Sequence, residues 1–219
     1  MKIAIDGPAG AGKSTVAKMV ADKLGYLYVD TGAMYRALTW KALHDNVDIS
    51  SGEALVRLLN QCRLELQSDS ASQRVVLNGR DITEAIRTRE VSNHVSEVAS
   101  HPQVREAMVE LQREMATKGN VVMDGRDIGT YVIPDADVKI YLTASLEERA
   151  RRRYEELRAK GHEVSFEEIK QEILERDDKD SKRDTAPLQK AADALTVDTT
   201  GLSITEVVNC ILNIVHQKT

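Results

Sequence analysis

Residues 2–6 (Lys2-Ile3-Ala4-Ile5-Asp6) form a short apolar run that ends in Asp6 and passes into a glycine-rich turn. Behind the turn, Val16, Ala17, Val20, Ala21 and Leu24 recur at helical spacing. The pattern predicts strand, loop, helix. Residues 26–30 read as a second strand ending in Asp30-Thr31-Gly32, and 33–43 suit a helix. Between 63 and 88 the period changes. Leu64 and Leu66 alternate with polar residues, a polar turn covers 68–73, and Val75-Val76-Leu77 precedes the tight-turn signal Asn78-Gly79. This predicts a small antiparallel β insertion. Residues 91–118 read as helical, with Pro102 opening a second part. Val121-Val122-Met123 is a buried strand ending at Asp124-Gly125, residues 138–142 are another, and Thr196-Val197-Asp198 is the last. Ser145 with Glu148, Ser165 with Glu168 and Ser203 with Glu206 fit the capping-box pattern, so a helix is expected at each. Gly161-His162 separates the first two. Ile204, Val207, Val208, Ile211, Leu212 and Val215 form one apolar stripe on the third.

Strands that alternate with helices predict an α/β fold, a five-stranded parallel sheet with helices on both faces. Short apolar strands, each ending in a polar or glycine residue, place the site at the carboxyl ends of the strands. The expected organisation is a single domain over 1–219. Its core is 1–61, 119–144 and 187–219, with an insertion of about 62–118 and a charge-dense helical lid of about 145–186.

Composition narrows the partners. Of 219 residues 42% are apolar and 30% charged, which is globular rather than disordered composition. Only 4% are aromatic, so the core must come from Val, Ile, Leu, Ala and Met. The net charge of -5 argues against an extended nucleic-acid partner, although arginines gathered locally can still bind a small phosphate compound. Cys62 and Cys210 have neither disulfide-framework nor zinc spacing and read as free thiols. Asp6 ends the first apolar run too early for a signal peptide, and no window approaches the roughly 18 apolar residues of a membrane span. A cytoplasmic monomer without membrane contact is expected.

Gly7-Pro8-Ala9-Gly10-Ala11-Gly12-Lys13-Ser14 matches G-x-x-x-x-G-K-[ST], between a predicted strand and a predicted helix. Gly7 and Gly12 allow backbone shapes that a Cβ blocks. Successive N–H groups can then wrap phosphates at a helix N-terminus, where Thr15 also lies. Lys13 brings a point charge to the outer phosphates, and the Ser14 hydroxyl is a candidate Mg²⁺ ligand. The guanine-reading N-K-x-D of GTPases and the S-G-G-Q-like signature of transporter ATPases are absent. A small-molecule kinase remains, using ATP and an arginine-rich acceptor pocket; a nucleotide-dependent switch is the reading from another class. Arg36 and Arg126 sit just beyond strand ends, where ligands bind. The run 151–153 reads equally as a solvated helix face.

Asp30-Thr31-Gly32-Ala33-Met34-Tyr35-Arg36, Asp124-Gly125-Arg126-Asp127-Ile128-Gly129-Thr130 and Arg176-Asp177-Asp178-Lys179-Asp180 closely resemble the bacterial cytidylate kinases, in the right order and over nearly the whole chain. The resemblance implies phosphoryl transfer from ATP to CMP or dCMP. It implies that the β insertion belongs to the acceptor-binding region, which also includes Tyr35. It implies that Arg36, Arg126 and Arg183 clamp the acceptor phosphate, a task suited to the planar guanidinium fork. Arg105, Asp127 and Ser96 resemble the base-reading set, Arg176 and Asp180 the sugar contacts, and Thr31 supplies a hydroxyl. Arg149 is implied to stack on adenine, with a plain surface arginine as the other reading. From residue chemistry alone, Asp127 reads as a cap or ion-pair partner, and Asp180 as a solvated acid.

Overall fold

The structure is a computed structural model that describes residues 1–68 and 73–218. Five parallel strands, β1 (Lys2–Asp6), β2 (Leu27–Asp30), β6 (Val121–Gly125), β7 (Val138–Thr143) and β8 (Leu195–Asp198), pair in the order β2-β6-β1-β7-β8. Nearly every residue of β1 and β6 is buried, as parallel strands covered on both faces require, whereas β7 alternates buried with half-buried positions. On one face Ile3, Ile5, Val122, Ile140 and Leu142 pack with α1 (Lys13–Leu24) and α8 (Ile204–His216). On the other, Ala4, Val29, Val121 and Met123 pack with α2 (Thr31–His44), α3 (Gly52–Asn60), α4 (Arg89–Val98) and α5 (Pro102–Ala116).

The insertion is an antiparallel sheet of β3 (Leu64–Ser68), β4 (Gln73–Leu77) and the two-residue β5 (Arg80–Asp81). Asn78 and Gly79, both at positive φ, turn β4 into β5. Val75, Leu77, Ile82 and Ile86 bury against Ala33 and Ala37 of α2. The expected turn over 68–73 lies mostly outside the described residues. The charged segment forms two helices, α6 (Leu146–Ala159) and α7 (Phe166–Lys182), joined through Gly161 at φ 81°. Ala150, Leu157, Ile169 and Ile173 join them, and Ala9 of the glycine-rich loop completes this small core. No helix among the described residues is long and apolar enough to cross a membrane.

Three local expectations need correction. Helix α2 starts at Thr31 rather than Ala33, because Asp30 caps it by accepting from the Ala33 N–H at 2.8 Å. Helix α3 was not expected; Ser51 caps it. At α6 the capping box is half formed. Ser145 accepts from the Glu148 N–H, but the Glu148 carboxylate bonds Arg151 and Arg152 instead of reaching back. The boxes at Ser165 and Ser203 are complete.

Candidate active site

Strand register gathers the site. Asp6 lies beside Gly125, and Asp30 beside Asp124, so the ends of β1, β2 and β6 open on one edge. There a cavity of about 660 Å³ runs from the glycine-rich loop to α7.

The loop end is a cradle. A Cβ on Gly7 would stand 1.9 Å from the Leu142 carbonyl oxygen, so only glycine lets the loop leave β1 against β7. Gly12, at φ 86°, is the N-cap of α1 and has no side chain to bond the first N–H groups, and the first turn of α1 carries no acid. The N–H groups there and the helix dipole suit an anion. Ala9, Gly10, Gly12, Lys13, Ser14 and Thr15 line the cavity, whereas Gly7, Pro8 and Ala11 form the loop behind it. Lys13 is buried, and its Nζ donates to the Pro8 carbonyl at 2.7 Å. Burial, and then Arg126, hold its pKa well below the ordinary lysine value.

Ser14 Oγ donates to Asp124 Oδ2 at 2.8 Å, and the Tyr28 hydroxyl donates to Asp124 Oδ1 at 2.8 Å. Burial, and then the neighbouring Asp30 charge, push the Asp124 carboxyl up to about 7. A hydroxyl and two adjacent carboxylates beside a phosphate cradle form an oxygen-only donor set that fits Mg²⁺.

The other end is rich in arginine. Arg36, Arg87, Arg105, Arg126, Arg176 and Arg183 all line the cavity. Burial lowers Arg36, and Arg87 and Arg126 lower it further. Arg176 falls to about 9 through burial and then through Arg126 and Arg36. Two buried acids hold this cluster together. Asp180 accepts from Arg126 Nε at 2.9 Å and from Ser96 Oγ at 3.1 Å. Asp127 accepts from Arg105, and from Arg183 Nη2 at 3.2 Å. Arg105 is 1% exposed and Asp127 5%. The ion-pair reading of Asp127 thus describes its contacts, whereas the solvated reading of Asp180 is wrong. The Tyr35 hydroxyl, Arg105 Nε and Arg176 Nε are buried with no partner among the described residues. Polar atoms left so are costly in a cavity wall unless something else bonds them.

Two expected residues carry bonds within the protein: Thr31, which lines the cavity, and Arg149, which does not. The Thr31 hydroxyl donates to the Asp124 carbonyl at 2.6 Å, so it holds β6. Arg149 is buried, and its guanidinium is bonded to Ala9, Ala144 and Asp177. Sequence reading also missed residues. Arg87 and Arg89 line the cavity, and Arg89 Nε bonds Glu172 of α7 at 2.9 Å. Asp6 accepts from the N–H groups of Ile128 and Gly129 at 2.7 and 2.8 Å. This pins the π-helical turn Ile128–Val132 that follows Arg126 and Asp127. The one signal for Asp6 was its place immediately before Gly7.

A phosphate cradle on a parallel sheet, facing an arginine-lined chamber, defines a P-loop kinase of small molecules. Residues 3–217 match the family model for cytidylate kinase. The cytidylate kinase of Bacillus subtilis is 57% identical over 218 residues, covering 100% of this chain and 97% of its own length. That of Carboxydothermus hydrogenoformans is 55% identical over 218 residues, covering 100% and 98%. The chain belongs to the cytidylate kinase family. Among solved structures, an uncharacterised protein from Eubacterium ventriosum matches with a TM-score of 0.55 at 13% identity, over 99% of this chain and 98% of that one, and speaks to the fold alone.

Proposed function

We infer that this chain transfers the γ-phosphoryl group of ATP to CMP or dCMP, releasing ADP and CDP or dCDP. The observation that carries the reading is the buried Asp127 held between Arg105 and Arg183 at the far end of a cavity that begins at the phosphate cradle.

ATP lies with its phosphates against residues 7–15, and Lys13 draws the outer ones. Bound with it, Mg²⁺ neutralises phosphate charge, and Ser14 and Asp124 are the residues that would hold it. Arg36, Arg126 and Arg183 grip the acceptor phosphate. That phosphate is already an anion, so its in-line attack on the γ-phosphorus needs no strong general base. Positioning and charge neutralisation supply most of the acceleration.

Base choice rests on Asp127, Arg105 and Ser96. Asp127 accepts from the cytosine N4 amino group, and Arg105 donates to N3 and O2. Uracil would set a carbonyl against the Asp127 carboxylate, leaving two buried acceptors unpaired, which can discriminate by roughly 10⁴-fold. Asp180 and Arg176 face the sugar. An acid that accepts from the 3′-hydroxyl admits deoxyribose too. The segment 62–118 serves the acceptor, and 145–186 closes as a lid that excludes water. The chain works as a monomer without nucleic acid.

An ADP-release assay with CMP, dCMP, UMP, AMP and shikimate tests this. CMP and dCMP should turn over fastest. Fast turnover of UMP or AMP with none of CMP overturns the reading. ADP release that ignores every acceptor makes the chain a nucleotide-dependent switch.

A further inference from the structure

Two successive peptide units of the cradle, meeting at the Ala9 Cα, are each held by the lid. The Ala9 N–H donates to Asp177 Oδ1 at 2.9 Å, and the Ala9 carbonyl accepts from Arg149 Nη1 at 2.8 Å. The same Nη1 donates to Asp177 Oδ2 at 2.5 Å, and Arg149 Nε donates to the Ala144 carbonyl at 3.1 Å. The P-loop, α6 and α7 therefore meet at Ala9. Both side chains are largely buried, 10% exposed for Arg149 and 16% for Asp177. Arg149 also packs close to the next residue: a Cβ on Gly10 would lie 3.1 Å from its own.

A buried ion pair adds little net stability, because desolvation offsets its attraction. It does fix orientation. With the N–H on one side of the Ala9 Cα and the carbonyl on the other both bonded, neither flanking peptide rotates freely, and the turn of the loop at Gly10 and Gly12 starts here. We propose that Asp177 is a positioning residue. With Arg149 it locks the two peptides that flank the Ala9 Cα, so that the following loop N–H groups keep facing the donor triphosphate while α7 stays docked on the cradle. A competing role for Asp177 is that of an acid occupying the phosphate position. Its placement speaks against this: α7 lines the cavity with Glu175, Arg176, Lys179 and Asp180 rather than with Asp177.

The proposal rests on the reading of residues 7–15 as the ATP cradle. Asp177→Asn keeps an oxygen for the Ala9 N–H and removes the charge beside Arg149. Loss of such a charge-assisted bond should raise the Kd for ATP, measured calorimetrically without acceptor, about tenfold. The KM for ATP should rise in parallel, while the KM for CMP stays within about twofold. Arg149→Lys, which keeps the charge and loses the fork, should show the same split, and the double variant should be no worse than the poorer single one. Tighter ATP binding by Asp177→Asn overturns the proposal in favour of a displaced acid. An unchanged ATP Kd, or equal losses for both substrates with a lowered Tm, overturns it too. Wild-type protein that releases no ADP with CMP removes the kinase reading itself, a result distinct from all of these.

Discussion

Asp127 sits between two guanidinium groups, so a change there alters both charge and hydrogen-bond direction. Asp127→Asn replaces one acceptor oxygen by an NH₂ that can face a base carbonyl. Turnover should fall for every acceptor, since Arg105 and Arg183 lose a shared counter-charge. The informative quantity is the ratio of kcat/KM for UMP to that for CMP, which should rise at least about tenfold. A ratio equal to the wild type's would remove Asp127 from base reading. The identity of this residue was legible in the motif Asp124-Gly125-Arg126-Asp127, but its partners were not. Arg105 and Arg183 lie far from it along the chain, and only the fold brings them to one carboxylate.

Among elements, α7 shows what capping contributes. Ser165 accepts from the Glu168 N–H, and the Glu168 carboxylate accepts in return from the Ser165 N–H. Ser165→Ala should cost about 1 kcal/mol, seen as faster hydrogen exchange at the start of α7 and a small fall in Tm. Exchange unchanged there would mean that the contacts of Ile169 and Ile173 alone hold the helix end. The capping pattern was readable because it is local. It misled at Glu148, where Arg151 and Arg152, one turn away, compete for the same carboxylate. The β insertion was legible from the alternation at Leu64 and Leu66 together with the turn signal Asn78-Gly79. Helix α3 was not, because its nine residues, Gly52–Asn60, offer few helical periods. The start of α2 was displaced because Asp30 was read as the end of a strand, while its side chain also serves as a cap.

Across the molecule, two buried acids contribute to the response to pH. Burial pushes Asp6 up to about 6 and Asp124 up to about 7 from an ordinary 3.8. In the unfolded chain both ionise near 3.8, so across this window the folded state holds protons that the unfolded state has released. Their contribution is therefore full below 3.8 and is lost as pH rises through about 6 and 7. Asp6→Asn removes one of the two groups. Its Tm deficit relative to wild type should narrow between about pH 4 and pH 6. A deficit that stays constant would show that Asp6 does not titrate in this range. Sheet order and glycine-rich loop together made the phosphate end legible. At the arginine end Arg36 and Arg126 were legible beyond strand ends, but the convergence on them of Arg105 from α5 and Arg176 from α7 needed the fold.

The ties of Arg126 to Asp180, of Arg105 and Arg183 to Asp127, and of Arg149 to Asp177 bear on how such a protein changes over generations. Replacing one member alone strands a charge in the interior, at a cost of several kcal/mol. Acids and arginines here are consequently free to drift only together. A route to a new acceptor must pass through concerted substitutions, or through the neutral residues between them.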